Sequence, residues 1–549
     1  MRRALAYGSL ALGCSGLRGD APRDHGEPPT GEGTSPSASG GTSGDTSSGA
    51  FGGALSGAPG ASAASGESAA LGGAGTGDSA AGGADSTVSG ASGGEALGGA
   101  PAGEGIELEL SAIAANGSIG LEWKRVPGAL GYRVYWTTEE PLSLATADLL
   151  ETEAPGIVHR GLVNGMTYRY VVRVVTAEGE GPVSTEITAT PTGEWVLEQL
   201  GTGDFVDIVT GERVPRVPIE KRVHVMLLPE GYLASDLSTF HGEVHDVQDP
   251  ENDVDRWLAE VFAIEPYSLF REAFVVWYLP RASSAHVGEG ATAFGIGVSN
   301  GGISNVRSAA APLFAAIDGA GADAFPYPPA TPAVNHVAAF LVLDVTRSPA
   351  RAGYSGVTTQ LSNPNAPGQR IPVAFAQGHA HEFTHAFAGL RDEYLEDDIT
   401  VTATTETSNV VSTNACSALP WAHLLAGAGI HDVPELVGAF GRPERGYHSE
   451  LLCLMNGTHE NGKYWCADAE AQLSLRPWGR MCNFCREVTA FRVLEATGIL
   501  PREDGFEQWK SEYRAAFYDR FGFQVPTPVP QRVSCPGEES RPIYEPCAE

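Results

Sequence analysis

A chain of 549 residues whose 69 glycines are unevenly spread is too long for one ordinary domain, so its ordered part must be shorter than the whole. The formal net charge of −32 argues against nucleic acid as a partner, because phosphate binding needs clustered Lys and Arg. This acidity bears on solubility rather than on a particular ligand.

Residues 1–14 read as an export signal. Arg2 and Arg3 form a basic start, a short apolar run reaches Leu12, and small Gly13 precedes Cys14. The order resembles a bacterial lipoprotein signal, in which the cysteine receives lipid after cleavage. The apolar run is short and Ala11 stands where such signals usually carry Leu, so a plain signal peptide or a mis-set start is the alternative. No later stretch approaches the roughly 20 apolar residues that span a bilayer. Attachment is therefore expected through lipid on Cys14, and the location outside the cytoplasm, extracellular or at the cell surface.

Residues 15–103 are mostly Gly, Ala and Ser with scattered acids. Too little apolar surface is present to offset chain entropy, so a disordered tether is expected.

Between residues 104 and 193 the texture changes to short alternating strands, at residues 120–124, 132–136 and 168–175. About seven strands in this span imply a sandwich with Trp123 as its core indole. Leu162, followed six residues later by Tyr168, resembles the tyrosine corner of a fibronectin type III domain. Such modules usually act as spacers or weak adhesion units.

Residues 194–549 alternate buried strands with helices, as an α/β domain does. Apolar runs at 223–228, 274–279 and 337–343 predict sheet strands. Helical periodicity marks 257–270, 373–388, 485–497 and 505–521.

The second of these helices carries the chemistry. Pro372 can start it and Gly389 can end it in a left-handed conformation. On a helix His381 and His385 fall about 40° apart, while Phe383, Ala386, Phe387 and Leu390 take the opposite, packing side. Imidazoles four residues apart can both reach one tetrahedral Zn²⁺. Glu382 is rotated off that face, so it can take a proton from the attacking water without occupying a ligand position. A catalytic zinc usually takes three protein ligands, and the acids after Gly389 are Asp392 and Glu393. Asp392 is preferred. A solvated or histidine-orienting carboxylate is its alternative role, and His379 is expected to be a simple helix residue.

The run from His381 to Tyr394, HEFTHAFAGLRDEY, resembles the IgA peptidase family of zinc metallopeptidases. The likeness extends upstream to Glu230-Gly-Tyr232 and to residues 262–270 with Pro266. Downstream it reaches Cys453-Leu-Met455 and residues 482–487. The resemblance implies a zincin, metzincin-like fold, zinc-dependent endopeptidase activity on a protein or peptide substrate, and Met455 as a methionine turn below the metal, with ordinary core filling as the alternative. Gly389 and Asp392 each come one residue later than in the metzincin pattern HExxHxxGxxH, which keeps Glu393 open as third ligand.

Apart from Cys14, the cysteines all lie in the last third, at 416, 453, 466, 482, 485, 535 and 547. In an exported chain such clustering favours disulfides, with one thiol left over. Cys482 and Cys485 alone form only half of a zinc knuckle. The competing functional class is a surface adhesin or glycan-binding protein built on an inactive zincin scaffold, against which the intact Glu382 speaks. A structural calcium-binding protein would need dense Asp and Asn loops that the chain lacks.

Overall fold

The computed structural model describes residues 108–242, 251–299, 302–304, 306–315, 335–343, 378–393, 401, 405–413, 415–425, 440–442, 446–450, 453–456 and 480–523. The expected export signal, the tether, the first residues of the motif helix, Tyr394, Cys466, Cys535 and Cys547 lie outside the described residues.

The first described part is a β-sandwich. One sheet holds β1 (Ser111–Ala115), β2 (Ser118–Glu122) and β5 (Gly156–Arg160) in the order β1-β2-β5. The facing sheet has the order β4-β3-β6-β7, from β3 (Gly131–Thr137), β4 (Asp148–Thr152), β6 (Tyr168–Thr176) and β7 (Gly179–Val183), with β8 (Ile187–Ala189) also paired to β6. Alternation along β6 turns Tyr168, Tyr170, Val172 and Val174 inward, onto Trp123 and Tyr132. Trp123 is fully buried and meets the Tyr132 ring edge-on at 5.2 Å between centroids. The Tyr168 hydroxyl accepts the Val163 N–H at 3.0 Å, closing the corner that the Leu162 and Tyr168 spacing predicts.

The chain then enters a four-stranded mixed sheet of order β14-β10-β11-β9. β10 (Val223–Glu230) runs parallel to β11 (Phe274–Tyr278) and to β14 (His336–Val342), and β9 (Val196–Leu200) is the antiparallel edge. All three strands predicted from the apolar runs are present. A short hairpin, β12 (Gly297–Ser299) with β13 (Gly302–Ser304), precedes β14.

Alternation assigns the two faces of this sheet to different partners. Val225, Leu227, Val276 and Leu341 face the core that contains the motif helix, while Met226, Leu228, Trp277 and Phe340 face Ile113 and Ala115 of the sandwich. The sandwich is thus a packing layer rather than the spacer its composition suggests. Gly120 and Gly156 permit the approach: a Cβ at Gly120 would stand 2.5 Å from Leu197 Cδ2, and one at Gly156 would stand 2.8 Å from Thr202 Cγ2. The contact also buries an ion pair, Arg222 Nη1 to Glu122 Oε2 at 2.6 Å, with Arg222 donating further to the carbonyls of Gly201 and Val217.

Helices cover the other face. After α1 (Leu237–Phe240) comes α2 (Asp253–Val261), capped by the Asn252 side chain, which accepts the Asp255 N–H at 2.9 Å. The sequence predicts this helix at 257–270; it starts earlier, at the Asn252 cap, and stops at Val261, and the segment that follows, with Pro266 excluded from a helix interior, turns instead. α3 (Val306–Ala315) packs instead on the sandwich-facing side, through Ala309 and Ala310, and the motif helix α4 (Gly378–Ala388) and α5 (Asn483–Ala496) belong to the other face. α6 (Gly505–Gln508) and α7 (Arg514–Phe521) are joined through a wide turn at Trp509–Tyr513, so the predicted 505–521 segment is helical throughout. A small sheet of β15 (Val410–Val411), β16 (Phe440–Arg442) and β17 (Gly446–His448) lies beyond the motif in sequence. No described helix is long and apolar enough to cross a membrane.

Candidate metal centre

α4 is held by its apolar side. Phe383 is fully buried, edge-on to Trp257 at 5.2 Å and close to Tyr267 at the same centroid distance. The Tyr267 hydroxyl shares a hydrogen bond of 3.0 Å with Thr384 Oγ1, which itself donates to the Ala380 carbonyl. Phe387 lies over Phe274 and Leu390 is buried, as the helical pattern predicts. With that side fixed, His381 and His385 are presented on the other, where their side chains are only slightly exposed.

Gly389 ends the helix at φ +70, and its N–H bonds the His385 carbonyl at 3.1 Å. The chain turns back from there, so that Asp392 reaches the histidines. Its Oδ1 lies 3.0 Å from His381 Nε2 and 3.1 Å from His385 Nε2, and the two Nε2 atoms are 3.0 Å apart. The opposite ring nitrogens are occupied: His381 Nδ1–H donates to the Leu454 carbonyl at 2.8 Å and His385 Nδ1–H to the Leu390 carbonyl at 2.6 Å. In the neutral tautomers fixed by those bonds, both Nε2 atoms carry lone pairs. Two nitrogen lone pairs and a carboxylate oxygen therefore converge on one point, an arrangement that fits a small cation. Burial disfavours charging His381, yet the Asp392 carboxylate raises its pKa to about 9, so a cation entering the site would displace a proton from its Nε2. In turn the two histidines hold Asp392 below the usual carboxylate range, against the upward pull of burial. These three residues could hold a metal ion. Glu382, between the histidines in sequence, is buried and acts electrostatically on His381.

Glu393 is not a member of this triad. Its N–H donates to the Met455 carbonyl at 2.8 Å, and its side chain points to a second, fully buried group formed with Cys453, Cys482 and Cys485. Burial, reinforced by Cys482, pushes the Glu393 carboxyl well above its usual range. The expectation of disulfides is corrected for these three cysteines, which are free thiols. Sequence reading saw only the Cys482 and Cys485 pair, because Cys453 and Glu393 are distant in sequence and join it only through the fold. Met455 is fully buried beside the site, in the turn Leu454–Asn456 whose first carbonyl orients His381. His379 is buried on α4 away from the triad, and burial lowers its pKa to about 4.

No family model matches the chain, and no curated protein matches it. Among solved structures, a fibronectin type III-like protein from Clostridium thermocellum is 25% identical, over 15% of this chain and 88% of its own, with a TM-score of 0.14. The FN5 domain of Drosophila Lar is 24% identical, over 16% of this chain and 98% of its own, with a TM-score of 0.14. The fibronectin domain of human collagen alpha-1(XX) is 16% identical, over 17% of this chain and 92% of its own, with a TM-score of 0.15. The sandwich resembles fibronectin type III domains. That statement stands on its two-sheet strand order and its tyrosine corner, and it extends to nothing beyond the sandwich.

Proposed function

We propose that this chain is a zinc-dependent endopeptidase acting on protein substrates outside the cytoplasm. One observation carries the reading: His381 Nε2, His385 Nε2 and Asp392 Oδ1 lie within 3.1 Å of one another, with both Nδ1–H groups committed to backbone carbonyls. The motif's resemblance to IgA peptidases supports a metzincin-like domain over residues 194–549. The signal read in residues 1–14 supports export, with lipid on Cys14.

Zinc, when bound, would supply Lewis acidity toward a water molecule and the scissile carbonyl. His381, His385 and Asp392 would hold it, and the Leu454 and Leu390 carbonyls keep both rings in the required tautomer. Glu382 accepts the proton of the attacking water and returns it to the departing amine.

The test is cleavage of a mixed protein substrate by the purified full chain, with and without a zinc chelator. Cleavage that chelator abolishes and added zinc restores is expected. A zinc-loaded chain that cuts nothing, while binding glycans or cell surfaces, would replace this reading by the adhesin one.

A further inference from the structure

The group formed by Glu393, Cys453, Cys482 and Cys485 has features that an ordinary buried thiol cluster does not need. Its four donor atoms all lie within 4.8 Å of one another. In a tetrahedral zinc site, sulfurs bound at about 2.3 Å lie about 3.8 Å apart, so this spacing needs only a small contraction. The donors arrive from separate elements. Glu393 follows the turn after α4, Cys453 precedes the Leu454–Asn456 turn, and Cys482 and Cys485 begin α5.

Two of the three sulfurs accept backbone N–H groups, and the third, Cys485 Sγ, faces the Glu393 carboxyl. Cys482 caps α5, a helix of 14 residues, and its Sγ takes the Cys485 N–H at 3.3 Å. Cys453 Sγ takes the Cys482 N–H at 3.2 Å, and Ser449 Oγ lies 3.3 Å from Cys482 Sγ. At Cys482 these hydrogen bonds and the helix N-terminus favour thiolate against the opposing pull of burial, whereas burial pushes the Cys453 and Cys485 thiols up. A further observation is independent of the cysteines. Glu393 is fully buried, with one carboxylate oxygen 3.0 Å from Cys485 Sγ and 3.1 Å from Asn409 Nδ2. The other oxygen, Oε2, is buried with no hydrogen-bond partner among the described residues. His448 Nδ1 lies 3.6 Å from it but serves the Glu450 carbonyl at 2.9 Å. That oxygen faces the cysteine group with its ligand capacity unused.

We propose that Cys453, Cys482, Cys485 and Glu393 bind a second, structural zinc ion. Four protein donors close the coordination shell, which leaves no open position and suits stabilisation rather than catalysis. Metal entry releases the thiol protons and places a divalent charge among the sulfurs and the carboxylate. A redox role for the C-x-x-C pair is disfavoured because Cys482 and Cys485 are fully buried, whereas exchange with a partner needs an accessible sulfur.

The two centres share their supports. Glu393 adjoins Asp392, and Cys453 adjoins Leu454, whose carbonyl orients His381. Tying Glu393 and Cys453 to one ion fixes the chain on both sides of the histidine centre. The second site itself does not depend on the peptidase reading.

Metal analysis of the reduced full chain after zinc loading and dialysis tests this, together with cobalt substitution. The parent should hold two ions, and His381→Ala/His385→Ala should keep one. With cobalt, that variant should show sulfur-to-metal charge transfer in the near ultraviolet, which a site of nitrogen and oxygen ligands lacks. Adding Cys485→Ser should weaken the remaining ion at least tenfold. The proposal is overturned if folded His381→Ala/His385→Ala protein holds no ion, or holds cobalt without sulfur charge transfer. A thiol assay showing Cys482 and Cys485 joined as a disulfide would overturn it equally. Should the triple variant fail to fold, the cobalt spectrum of His381→Ala/His385→Ala decides alone. Loss of the histidine centre leaves this site intact, so the two readings fail separately.

Discussion

His381 donates its Nδ1 proton to the carbonyl oxygen of Leu454 across 73 residues of sequence, at 2.8 Å. This bond fixes the face of the ring that meets Asp392 and ties the motif helix to the turn containing Met455. The buried methionine therefore sits in a segment that touches the ligand set through its backbone, whatever its thioether contributes.

Base and ligand should separate by metal content. Glu382→Gln keeps shape and loses the proton acceptor, so turnover should fall by about 10²- to 10⁴-fold with zinc retained. Asp392→Asn should lower zinc affinity, and added zinc should restore part of the activity. Elemental analysis beside a cleavage assay checks both, and equal zinc content in the two variants would remove Asp392 from the ligand set. Since Glu393 points elsewhere, loss of the histidine-bound ion in Glu393→Gln but not in Asp392→Asn would contradict the geometry.

The turn after the motif helix should be sensitive to a single methyl group. Gly389 has open space around its missing Cβ, so the effect of Gly389→Ala comes from φ +70 alone, at about 1–2 kcal/mol. Chemical denaturation should show that loss. The variant should also bind zinc more weakly, because the same turn delivers Asp392.

The sandwich should not be removable. A fragment of residues 194–549 would expose Leu197 and leave Arg222 without Glu122. In the full chain, Glu122→Ala should cost about 3–5 kcal/mol by stranding a buried guanidinium. Thermal unfolding measures this, and a fragment as stable as the full chain would refute it.

Acid should weaken the fold through His224, which lies far from both clusters in sequence. It accepts from Trp277 Nε1 at 3.0 Å, bonds the Ile219 carbonyl at 2.9 Å and stacks on His336 at 4.9 Å. Burial, outweighing the Ile219 carbonyl, lowers its pKa to about 4. Because the folded value is depressed below the unfolded value of about 6.5, its contribution is full above that pH and is lost as pH falls toward 4, to the extent of about 3 kcal/mol. Denaturation of the parent at pH 7 and pH 5 should show the loss, and His224→Phe should reduce the difference.

Much of this was legible in the sequence where a short-range rule applies. Continuous apolar runs predict β10, β11 and β14 because each is buried on both faces. The i, i+4 spacing and Gly389 suffice to bring two imidazoles and Asp392 together, since every step lies within one helix and one turn. What depended on distant contacts was hidden. The early end of α2 was masked by apolar residues that continue past Val261 and pack in turns instead. The role of Glu393 was undecidable from spacing, because its partners lie at 453, 482 and 485 and only tertiary packing brings them within reach. Likewise, nothing local to Glu122 marks it as the counter-charge of a residue 100 positions later.

That last pairing bears on the order of synthesis. The sandwich leaves the ribosome first with its own core around Trp123 complete, while the carboxylate of Glu122 waits for a guanidinium that is still to be translated. At that stage Ile113 and Ala115 are an uncovered apolar surface. The strand at Val196–Leu200, the antiparallel edge of the mixed sheet, is the first later strand that packs against it.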